Sequence, residues 1–134
     1  MSQENVEIVR EHFEGVNRRD WAAVIAAYDE EVVLVVHDLV APDAGVFNGR
    51  EAVGGWFGDW FRAFGKDYRF EVEEARSIGQ HVLAVARHHG SGRASGVKVE
   101  QITANLYTVR GAKIVRVELY ASATEALKAG GLAE

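Results

Sequence analysis

Two alternating segments joined by a two-residue turn constrain the fold of this 134-residue chain more than any other feature. Residues 97–110 and residues 113–121 are separated by Gly111 and Ala112 alone. A two-residue connection with glycine first predicts a β-hairpin with a type II′ turn. Pairing Arg110 with Lys113 then fixes the register, and the side chains separate into an apolar face and a polar face.

These two faces predict which side of the hairpin contacts the core. In the expected register, Asn105 lies opposite Glu118 and Tyr107 lies opposite Arg116. The apolar face carries Ile102, Ala104, Leu106, Val115, Val117, Leu119 and Ala121. The polar face carries Gln101, Thr103, Asn105, Tyr107, Arg116, Glu118 and Tyr120. We therefore expect the apolar face to form a wall of the core and the polar face to point away from it.

The composition is typical of one globular domain over residues 1–134. The chain is 48% apolar and has no cysteine, so we expect a single core without disulfides. A net charge of -5 with scattered Lys and Arg residues argues against a nucleic-acid partner. The longest apolar run, residues 32–36, is too short for a bilayer, and the first residues do not resemble a leader peptide. A cytoplasmic protein that does not bind a membrane is the expectation.

The sequence predicts neither a metal site nor a cofactor. His88 and His89 are neighbours on a predicted strand and point to opposite faces, and His81 lies at the far end of that strand. The glycine-rich segment 90–96 has neither the spacing of a phosphate-binding loop nor a following helix. We interpret that segment as a hairpin loop.

Helical periodicity and capping residues predict four helices. The first ends near residues 17–19, and Asp20 caps a short second helix. Asn48, with Glu51 three residues later, resembles a capping box that opens a third helix with a strongly aromatic face. Ser122 caps the last helix.

Strands are predicted between and after these helices. They cover residues 32–38, 68–73 and 80–89 and the two arms of the hairpin, whereas residues 41–45 form a loop. This order of elements favours an α+β fold in which a curved antiparallel sheet has helices packed on one side.

Three segments carry a resemblance to a known family. They read NRRDW at 17–21, AGVFNGREAV at 44–53 and LYTVRGAKIVRV at 106–117. With the order of elements, they make the chain similar to the SnoaL-like branch of the nuclear transport factor 2 (NTF2) superfamily, over essentially its whole length. This resemblance implies a cone-shaped α+β fold with an internal pocket, and relatives that include ketosteroid isomerases, polyketide cyclases, dehydratases and epoxide hydrolases.

The resemblance also implies a role for each face of the sheet. The concave side would line a pocket for a small apolar molecule, and the convex side would form a homodimer. The residues expected to line the pocket are Tyr28, Val35, Trp56, Trp60, Phe61, Tyr68, Phe70, Val85, Ala104, Leu106, Val117 and Leu119. The residues expected at the dimer interface are Gln101, Asn105, Tyr107, Arg116, Glu118 and Tyr120.

The strand over residues 80–89 offers two alternating sets of side chains, and alternation alone does not decide which set enters the pocket. One set is Val82, Ala84, Ala86 and His88, and the other is Leu83, Val85, Arg87 and His89. The resemblance to ketosteroid isomerase favours the second set. It therefore implies that Arg87 and His89 point into the pocket.

Four candidate catalytic residues follow from the same resemblance: His12, His37, Arg87 and His89. His12 corresponds to the oxyanion-hole tyrosine of the isomerase, His37 lies near its catalytic aspartate, and Ala104 replaces its second oxyanion donor. Histidines exchange protons near neutral pH, and a guanidinium in an apolar cavity stabilises an anionic oxygen. The structural alternatives are a hydrogen-bonded core histidine and, for Arg87, a salt bridge across the sheet.

Two functional hypotheses remain open. The first is a cofactor-independent isomerase, cyclase, dehydratase or epoxide hydrolase that uses acid/base catalysis on a small apolar substrate. The second is a domain without catalytic activity that binds a ligand or dimerises. Convergence of His37, Arg87 and His89 on one cavity would favour the enzyme, whereas a cavity filled by Trp56 and Trp60 would favour the binding domain.

Overall fold

The structure, a computed structural model, describes residues 2–37, 45–64, 66–92 and 96–129. Two helices, two strands and a third helix come first, and four consecutive strands and a last helix follow. The helices are α1 (Ser2–Arg18), α2 (Trp21–Ala26), α3 (Arg50–Arg62) and α4 (Ala123–Ala129). The strands are β1 (Tyr28–Val36), β2 (Gly45–Asn48), β3 (Arg69–Ile78), β4 (His81–Ser91), β5 (Lys98–Arg110) and β6 (Lys113–Tyr120).

Side-chain caps begin two of the helices as the sequence predicts. The Asp20 carboxylate accepts from the backbone N–H of Ala23 at 3.3 Å, and the Ser122 hydroxyl accepts from the N–H of Glu125 at 3.2 Å. The capping box expected at Asn48 is wrong, because Asn48 belongs to β2 and Gly49 precedes α3 without a side-chain cap. The short strand β2 was not predicted.

The six strands form one curved, unclosed sheet in the order β2-β1-β6-β5-β4-β3. Neighbouring strands are antiparallel except β1 and β6, which run parallel, so the sheet is mixed rather than wholly antiparallel. The α+β class expected from the sequence is confirmed. Within the described ranges, no helix has the length and apolar character needed to cross a bilayer.

The hairpin forms where the sequence predicts it, with Arg110 paired with Lys113. Its turn is not type II′, because Gly111 and Ala112 both have positive φ angles, 58° and 63°. Two positive φ angles define a type I′ turn, which matches the twist of the flanking strands.

A β-bulge shifts the register just beyond this turn. Val109 pairs with Ile114, but Thr108 pairs with Arg116, so Val115 has no partner on β5. Tyr107 therefore lies opposite Val117 and not opposite Arg116.

The bulge reverses the predicted faces of β5 but not those of β6. Val117 and Leu119 pack in the main core, as predicted. Tyr107 packs there with them, although it was predicted to point away from the core. Ala104 and Leu106 pack in a second cluster with Tyr120. Their expected place in the pocket wall is wrong, because one extra residue exchanges the two sides of a paired strand.

The main core lies between the inner face of the sheet and the helices α1, α2 and α3, whereas the second cluster lies on the outer face beneath α4. On β4 the inner set is Val82, Ala84, Ala86 and His88. The choice of Leu83, Val85, Arg87 and His89 as the inner set is therefore wrong, since neighbouring strand residues face opposite sides. Leu83 instead packs beneath α4 with Ala126.

Candidate functional site

A small enclosed cavity lies between α1, α3 and the inner face of β3 to β6. Its volume is about 30 Å³, which is room for about two water molecules. Most of its wall is apolar and aromatic, and its polar groups come from α1, α3, β4 and β5. The lining residues are His12, Phe13, Val16, Trp56, Phe57, Trp60, Phe70, His88, Thr103, Asn105, Tyr107 and Leu119.

The aromatic face of α3 forms one side of this cavity. Trp56 and Trp60 are one helical turn apart, and their rings stack with centroids separated by 5.4 Å and planes inclined by 19°. Phe57 packs edge-on against Trp56 at 5.0 Å. This stacking leaves little free space in the cavity.

On the opposite side, a buried histidine–tyrosine pair joins α1 to β1. The Nε2 atom of His12 lies 2.6 Å from the hydroxyl oxygen of Tyr28. Burial lowers the pKa of His12 to about 4 and raises the pKa of Tyr28. The tyrosine hydroxyl is therefore protonated, and Nε2 is the one acceptor that the described residues offer to its hydrogen. We assign that hydrogen to Nε2, which places the hydrogen of the neutral ring on Nδ1, because the reverse direction would leave both the hydroxyl hydrogen and Nδ1 without partners.

A second buried histidine, on β4, has hydrogen-bond partners on both ring nitrogens. Nδ1 of His88 lies 2.6 Å from the Tyr68 hydroxyl, and Nε2 lies 2.8 Å from Oγ1 of Thr103. The indole N–H of Trp60 donates to the Tyr68 hydroxyl at 3.0 Å. Burial, and then the charge of neighbouring His89, lowers the pKa of His88 to about 4, so its ring is neutral at pH 7.

Three polar atoms of cavity-lining side chains are buried without a hydrogen-bond partner among the described residues. They are Nδ1 of His12, Nε1 of Trp56 and Oδ1 of Asn105. Each such atom costs roughly 1–3 kcal/mol of desolvation. Two donors and one acceptor around one cavity are a polar pattern that a ligand or water molecules could satisfy.

An open groove of about 590 Å³ lies next to the cavity, between α2 and α3. Phe57 lines both the groove and the cavity, and Tyr28 lines the groove while its hydroxyl bonds to His12. The rings of Tyr28 and Phe57 are stacked with centroids 6.5 Å apart. This pair forms a partition between the groove and the cavity.

Several residues predicted from the sequence lie at the cavity or directly behind its wall. Those that line it are His12, Trp56, Trp60, Phe70 and Leu119. Tyr28, Phe61, Tyr68 and Val117 are buried in the surrounding main core. The aromatic face of α3 and the apolar face of β6 were the signals that identified this part of the wall.

Three of the four candidate catalytic residues lie away from the cavity. Arg87 is on the outer face of the sheet, where it forms ion pairs with Glu73 at 3.0 Å and Glu100 at 2.8 Å. His89, also on the outer face, has Nε2 at 3.0 Å from a carboxylate oxygen of Glu71. The expectation that these two side chains enter the pocket is wrong, because His88 between them faces inward.

His37 does not line the cavity either. It follows Val36 at the end of β1 and stacks on Tyr120, with ring centroids 4.3 Å apart. Of the four candidates, His12 alone lies at the cavity. The convergence of His37, Arg87 and His89 that would favour the enzyme hypothesis does not occur.

The remaining predicted wall residues are on the outer side. Val35 pairs with Glu118 on β6, and Val85 pairs with Ala104 on β5, both beside outward-facing neighbours. Ala104 and Leu106 pack in the cluster beneath α4. These four expectations are wrong for the same reason, a reversed assignment of strand faces.

The expected dimer set is divided between the two faces. Asn105 and Tyr107 line the internal cavity, so their expected place in an interface is wrong. Arg116, Glu118 and Tyr120 lie on the outer face, where the Glu118 carboxylate accepts from Arg116 at 3.4 Å and from Tyr120 at 3.2 Å. Gln101 pairs with inward-facing His88 and shares its side of the sheet.

Sequence reasoning missed His88, Thr103, Asn105 and Tyr107 as cavity residues. The amphipathic last helix could have indicated these residues, because its apolar side must pack against an apolar surface of the sheet. Ala104 and Leu106 supply that surface on the outer face, and this assignment sends the alternating polar residues of β5 inward. Among the described residues, no group of three or more His, Cys, Asp or Glu side chains is placed to hold a metal ion.

N-terminal helices packed on a curved, unclosed, mixed sheet of six strands are consistent with the NTF2-like fold. The model of the SnoaL-like domain matches residues 9–117. The chain therefore belongs to the SnoaL-like domain family.

Three solved structures illustrate the similarity of the fold. An NTF2-like protein from Burkholderia pseudomallei is 20% identical, with a TM-score of 0.78 and coverage of 96% of this chain and 97% of that chain. A Catenulispora acidiphila protein with a ketosteroid isomerase-like fold, in complex with trimethylamine, is 21% identical, with a TM-score of 0.74 and coverage of 94% and 93%. TerC, co-crystallised with polyporic acid, is 17% identical, with a TM-score of 0.76 and coverage of 93% and 96%. None of the curated proteins matches the chain.

Proposed function

We propose that this protein binds a small, largely apolar molecule with a carbonyl or hydroxyl oxygen in the cavity, and that it catalyses a cofactor-independent isomerisation, cyclisation or dehydration of that molecule. The observation that carries the proposal is the set of buried, unpartnered polar atoms on His12, Trp56 and Asn105 within an aromatic wall. Such groups are retained at a cost to stability. A ligand oxygen that accepts from His12 and Trp56, and a ligand hydroxyl that donates to Oδ1 of Asn105, would offset that cost.

His12 is the central residue of the proposed chemistry. Its ring is neutral at pH 7, and its Nδ1–H is a donor for a ligand oxygen because Tyr28 holds the other nitrogen. A neutral N–H donor in a low-dielectric site stabilises the negative charge that develops on a carbonyl oxygen during enolisation or carbonyl addition. This favours reactions in which a carbonyl group is polarised, such as isomerisation of an enone or intramolecular ring closure. Water in the cavity would accept the proton that leaves carbon, because the Tyr28 hydroxyl occupies the lone pair of His12.

The likeness to solved structures gives the proposal a second line of support. TerC was crystallised with polyporic acid, and the Catenulispora acidiphila protein with trimethylamine. Proteins of this fold therefore bind small organic molecules. The groove between α2 and α3, which is much larger than the cavity, is the proposed entry route, with Phe57 as the side chain that must move.

The alternative function is ligand binding without catalysis. The small free volume and the stacked pair of Trp56 and Trp60 favour it, because a substrate-sized molecule must displace these rings. The positions of His37, Arg87 and His89 away from the cavity favour it as well, so the proposed catalysis depends on His12. Turnover distinguishes the two functions, since both require binding.

The experiment is a screen of small lactones, enones and epoxides against the purified protein, with binding followed by calorimetry and turnover by mass spectrometry. We expect at least one compound to bind, and His12→Phe and Trp56→Phe to weaken it about tenfold through the loss of one hydrogen bond each. His89→Phe is the matched control, since His89 lies on the outer face of the sheet and lines neither the cavity nor the groove. Equal affinity in all three variants would overturn the site, and binding without turnover would favour the alternative.

A homodimer through the outer face of the sheet is a further part of the proposal. Exposed Ile102 and Val46 lie on this face with Arg116 and Glu118, which gives an interface both apolar and charged groups. Sedimentation at micromolar concentration tests it, and Ile102→Glu should shift a dimer toward the monomer. A monomeric wild-type protein would contradict it.

A further inference from the structure

We infer that Trp60, Tyr68 and His88 form a directed chain of hydrogen bonds that makes Thr103 a hydrogen-bond donor to the ligand. This inference rests on the proposed function, because it adds a contact to the same cavity. In this arrangement Thr103 contacts the ligand, whereas the other three are positioning residues. The direction of the chain follows from the donor and acceptor capacity of each group.

The chain of hydrogen bonds begins at the indole of Trp60, a group that donates a hydrogen bond but cannot accept one. Nε1–H of Trp60 can only donate, so the Tyr68 hydroxyl oxygen accepts that bond at 3.0 Å. Burial holds the pKa of Tyr68 well above its usual range, so this hydroxyl keeps its own hydrogen. Nδ1 of His88, 2.6 Å away, is the one acceptor that the described residues offer to this hydrogen. Tyr68, unlike Thr103, does not line the cavity, so the opposite direction would leave the Tyr68 hydrogen buried without a partner, and we therefore assign the hydrogen to Nδ1.

The tautomer of His88 determines whether Thr103 donates or accepts in the next hydrogen bond. A neutral ring that accepts at Nδ1 carries its hydrogen on Nε2, and Nε2 lies 2.8 Å from Oγ1 of Thr103. Thr103 therefore accepts from His88, and its own hydroxyl hydrogen must point elsewhere. Since Thr103 is buried and lines the cavity, a ligand oxygen is a partner for that hydrogen.

This direction excludes a familiar alternative. A threonine activated as a nucleophile would donate its hydrogen to an unprotonated Nε2 of the histidine. In this cavity Nε2 already carries the hydrogen, because the Tyr68 hydroxyl occupies the lone pair of Nδ1. Thr103 is therefore a donor that stabilises charge on the ligand and does not form a covalent intermediate.

The position of Tyr68 depends on the absence of a side chain at Gly90. A Cβ atom at Gly90 would lie 2.8 Å from both Cα and Cδ2 of Tyr68, which real contacts do not allow. The ring of Phe64 stacks on the ring of Tyr68, with centroids 4.4 Å apart. Contacts with the Gly90 backbone and with this ring thus restrict the position of Tyr68, whose hydroxyl bonds to His88.

A consequence is that the two buried histidines have opposite tautomers. His12 carries its hydrogen on Nδ1, because Tyr28 donates to Nε2, whereas His88 carries its hydrogen on Nε2. The donors thereby accumulate at the cavity: Nδ1–H of His12, Nε1–H of Trp56 and the hydroxyl of Thr103. A ligand oxygen with partial or full negative charge is the group that this set stabilises.

The first test is long-range proton–nitrogen NMR of the histidine rings in the wild-type protein at pH 7, which assigns each tautomer without any ligand. We expect the Nε2–H form for His88 and the Nδ1–H form for His12. The Nδ1–H form or the charged form of His88 would overturn the chain. In Tyr68→Phe we expect a mixture of tautomers at His88, whereas Tyr107→Phe, which removes another cavity hydroxyl, should leave His88 unchanged.

The second test uses 4-nitrophenol as the probe, because the absorbance of bound probe reports its ionisation. We expect the wild-type cavity to bind the phenolate form, Thr103→Ser to bind within twofold of the wild type, and Thr103→Val to bind about tenfold more weakly. Equal affinity of Thr103→Val and the wild type would overturn Thr103 as a ligand donor. Failure of the wild type to bind any oxygen-bearing compound would overturn the proposed function while the NMR result still stood for the chain.

Discussion

Nε2 of His12 lies 2.6 Å from the hydroxyl oxygen of Tyr28, and this bond connects the first helix to the first strand in a fully buried place. The two residues are sixteen positions apart in the chain, and their rings also pack edge-on with centroids 5.3 Å apart. The bond decides which nitrogen of His12 carries a hydrogen, and so connects the stability of the fold with the polarity of the cavity.

Removal of the Tyr28 hydroxyl tests the structural part of this relationship. Tyr28→Phe leaves Nε2 of His12 buried without a donor, so we expect the free energy of unfolding to fall by roughly 1–3 kcal/mol. Urea denaturation measures the change. Tyr120→Phe is the matched control, because its hydroxyl bonds to the partly exposed Glu118 and should cost less. Equal losses in both variants would contradict a special role for the buried pair.

The two buried histidines predict a pH dependence of stability. Their pKa values are lowered from 6.5 to about 4 in the folded chain, so the unfolded chain binds more protons between these limits. Stability is therefore fully present above pH 6.5 and is lost as the pH falls, with each histidine contributing a slope of up to about 1.4 kcal/mol per pH unit.

Urea denaturation between pH 7 and pH 5 measures this slope, in a range where most carboxylates stay ionised. We expect His88→Gln to reduce the slope and Val46→Ala, at an exposed position that leaves every titratable side chain in place, to keep it. A stability that is constant over this range in the wild type would mean that neither histidine is neutral because of burial.

The turn of the hairpin contains a residue in an unfavourable conformation. Ala112 has a φ of 63°, in the left-handed region that glycine adopts without steric cost. We expect Ala112→Gly to raise the free energy of unfolding by roughly 0.5–1 kcal/mol. Ala52→Gly, at an exposed position inside α3, is the control and should lower it by roughly 1 kcal/mol. Destabilisation by both substitutions would contradict the type I′ geometry.

The hairpin also shows how far the sequence determined the fold. The two-residue turn, the strand lengths and the apolar face of β6 follow from alternation, and they specify the α+β class together with the caps at Asp20 and Ser122. The alternation of apolar and polar residues does not reveal an extra residue in a strand. Val115 is a typical strand residue, and the residues around it do not indicate a bulge. The predicted pairing of Tyr107 with Arg116 therefore differs from the structure by one position.

The same limit applies to the candidate site. Trp56 and Trp60 were predictable, because a helix has one apolar face and α3 concentrates its aromatic residues there. His88 was not, because β4 is buried on both sides in its central part, so its two faces have similar side chains. What distinguishes the two faces of β4 is that Leu83, on the outer face, packs beneath α4 with Ala126. That contact joins residues far apart in the chain.

The small volume of the cavity leads to the last prediction, which concerns α3. A ligand larger than about two water molecules must displace this helix or its aromatic side chains. Three glycines within the helix, Gly54, Gly55 and Gly58, lower its intrinsic stability and so make that displacement easier. We expect Gly55→Ala to raise the free energy of unfolding by roughly 1 kcal/mol, because a Cβ atom there meets nothing within 4 Å.

The same substitution should slow the entry of 4-nitrophenol in stopped-flow measurements, since a stiffer helix opens less often. Gly54→Ala is the informative comparison, because its Cβ atom would lie 3.2 Å from Cδ1 of Ile25 in α2. That contact offsets the gain in helix propensity, so we expect a smaller increase in stability and a smaller effect on entry. If Gly55→Ala stabilises the chain but entry proceeds at the wild-type rate, the ligand reaches the cavity without movement of the α3 backbone, and rotation of side chains such as Phe57 is then what opens the route.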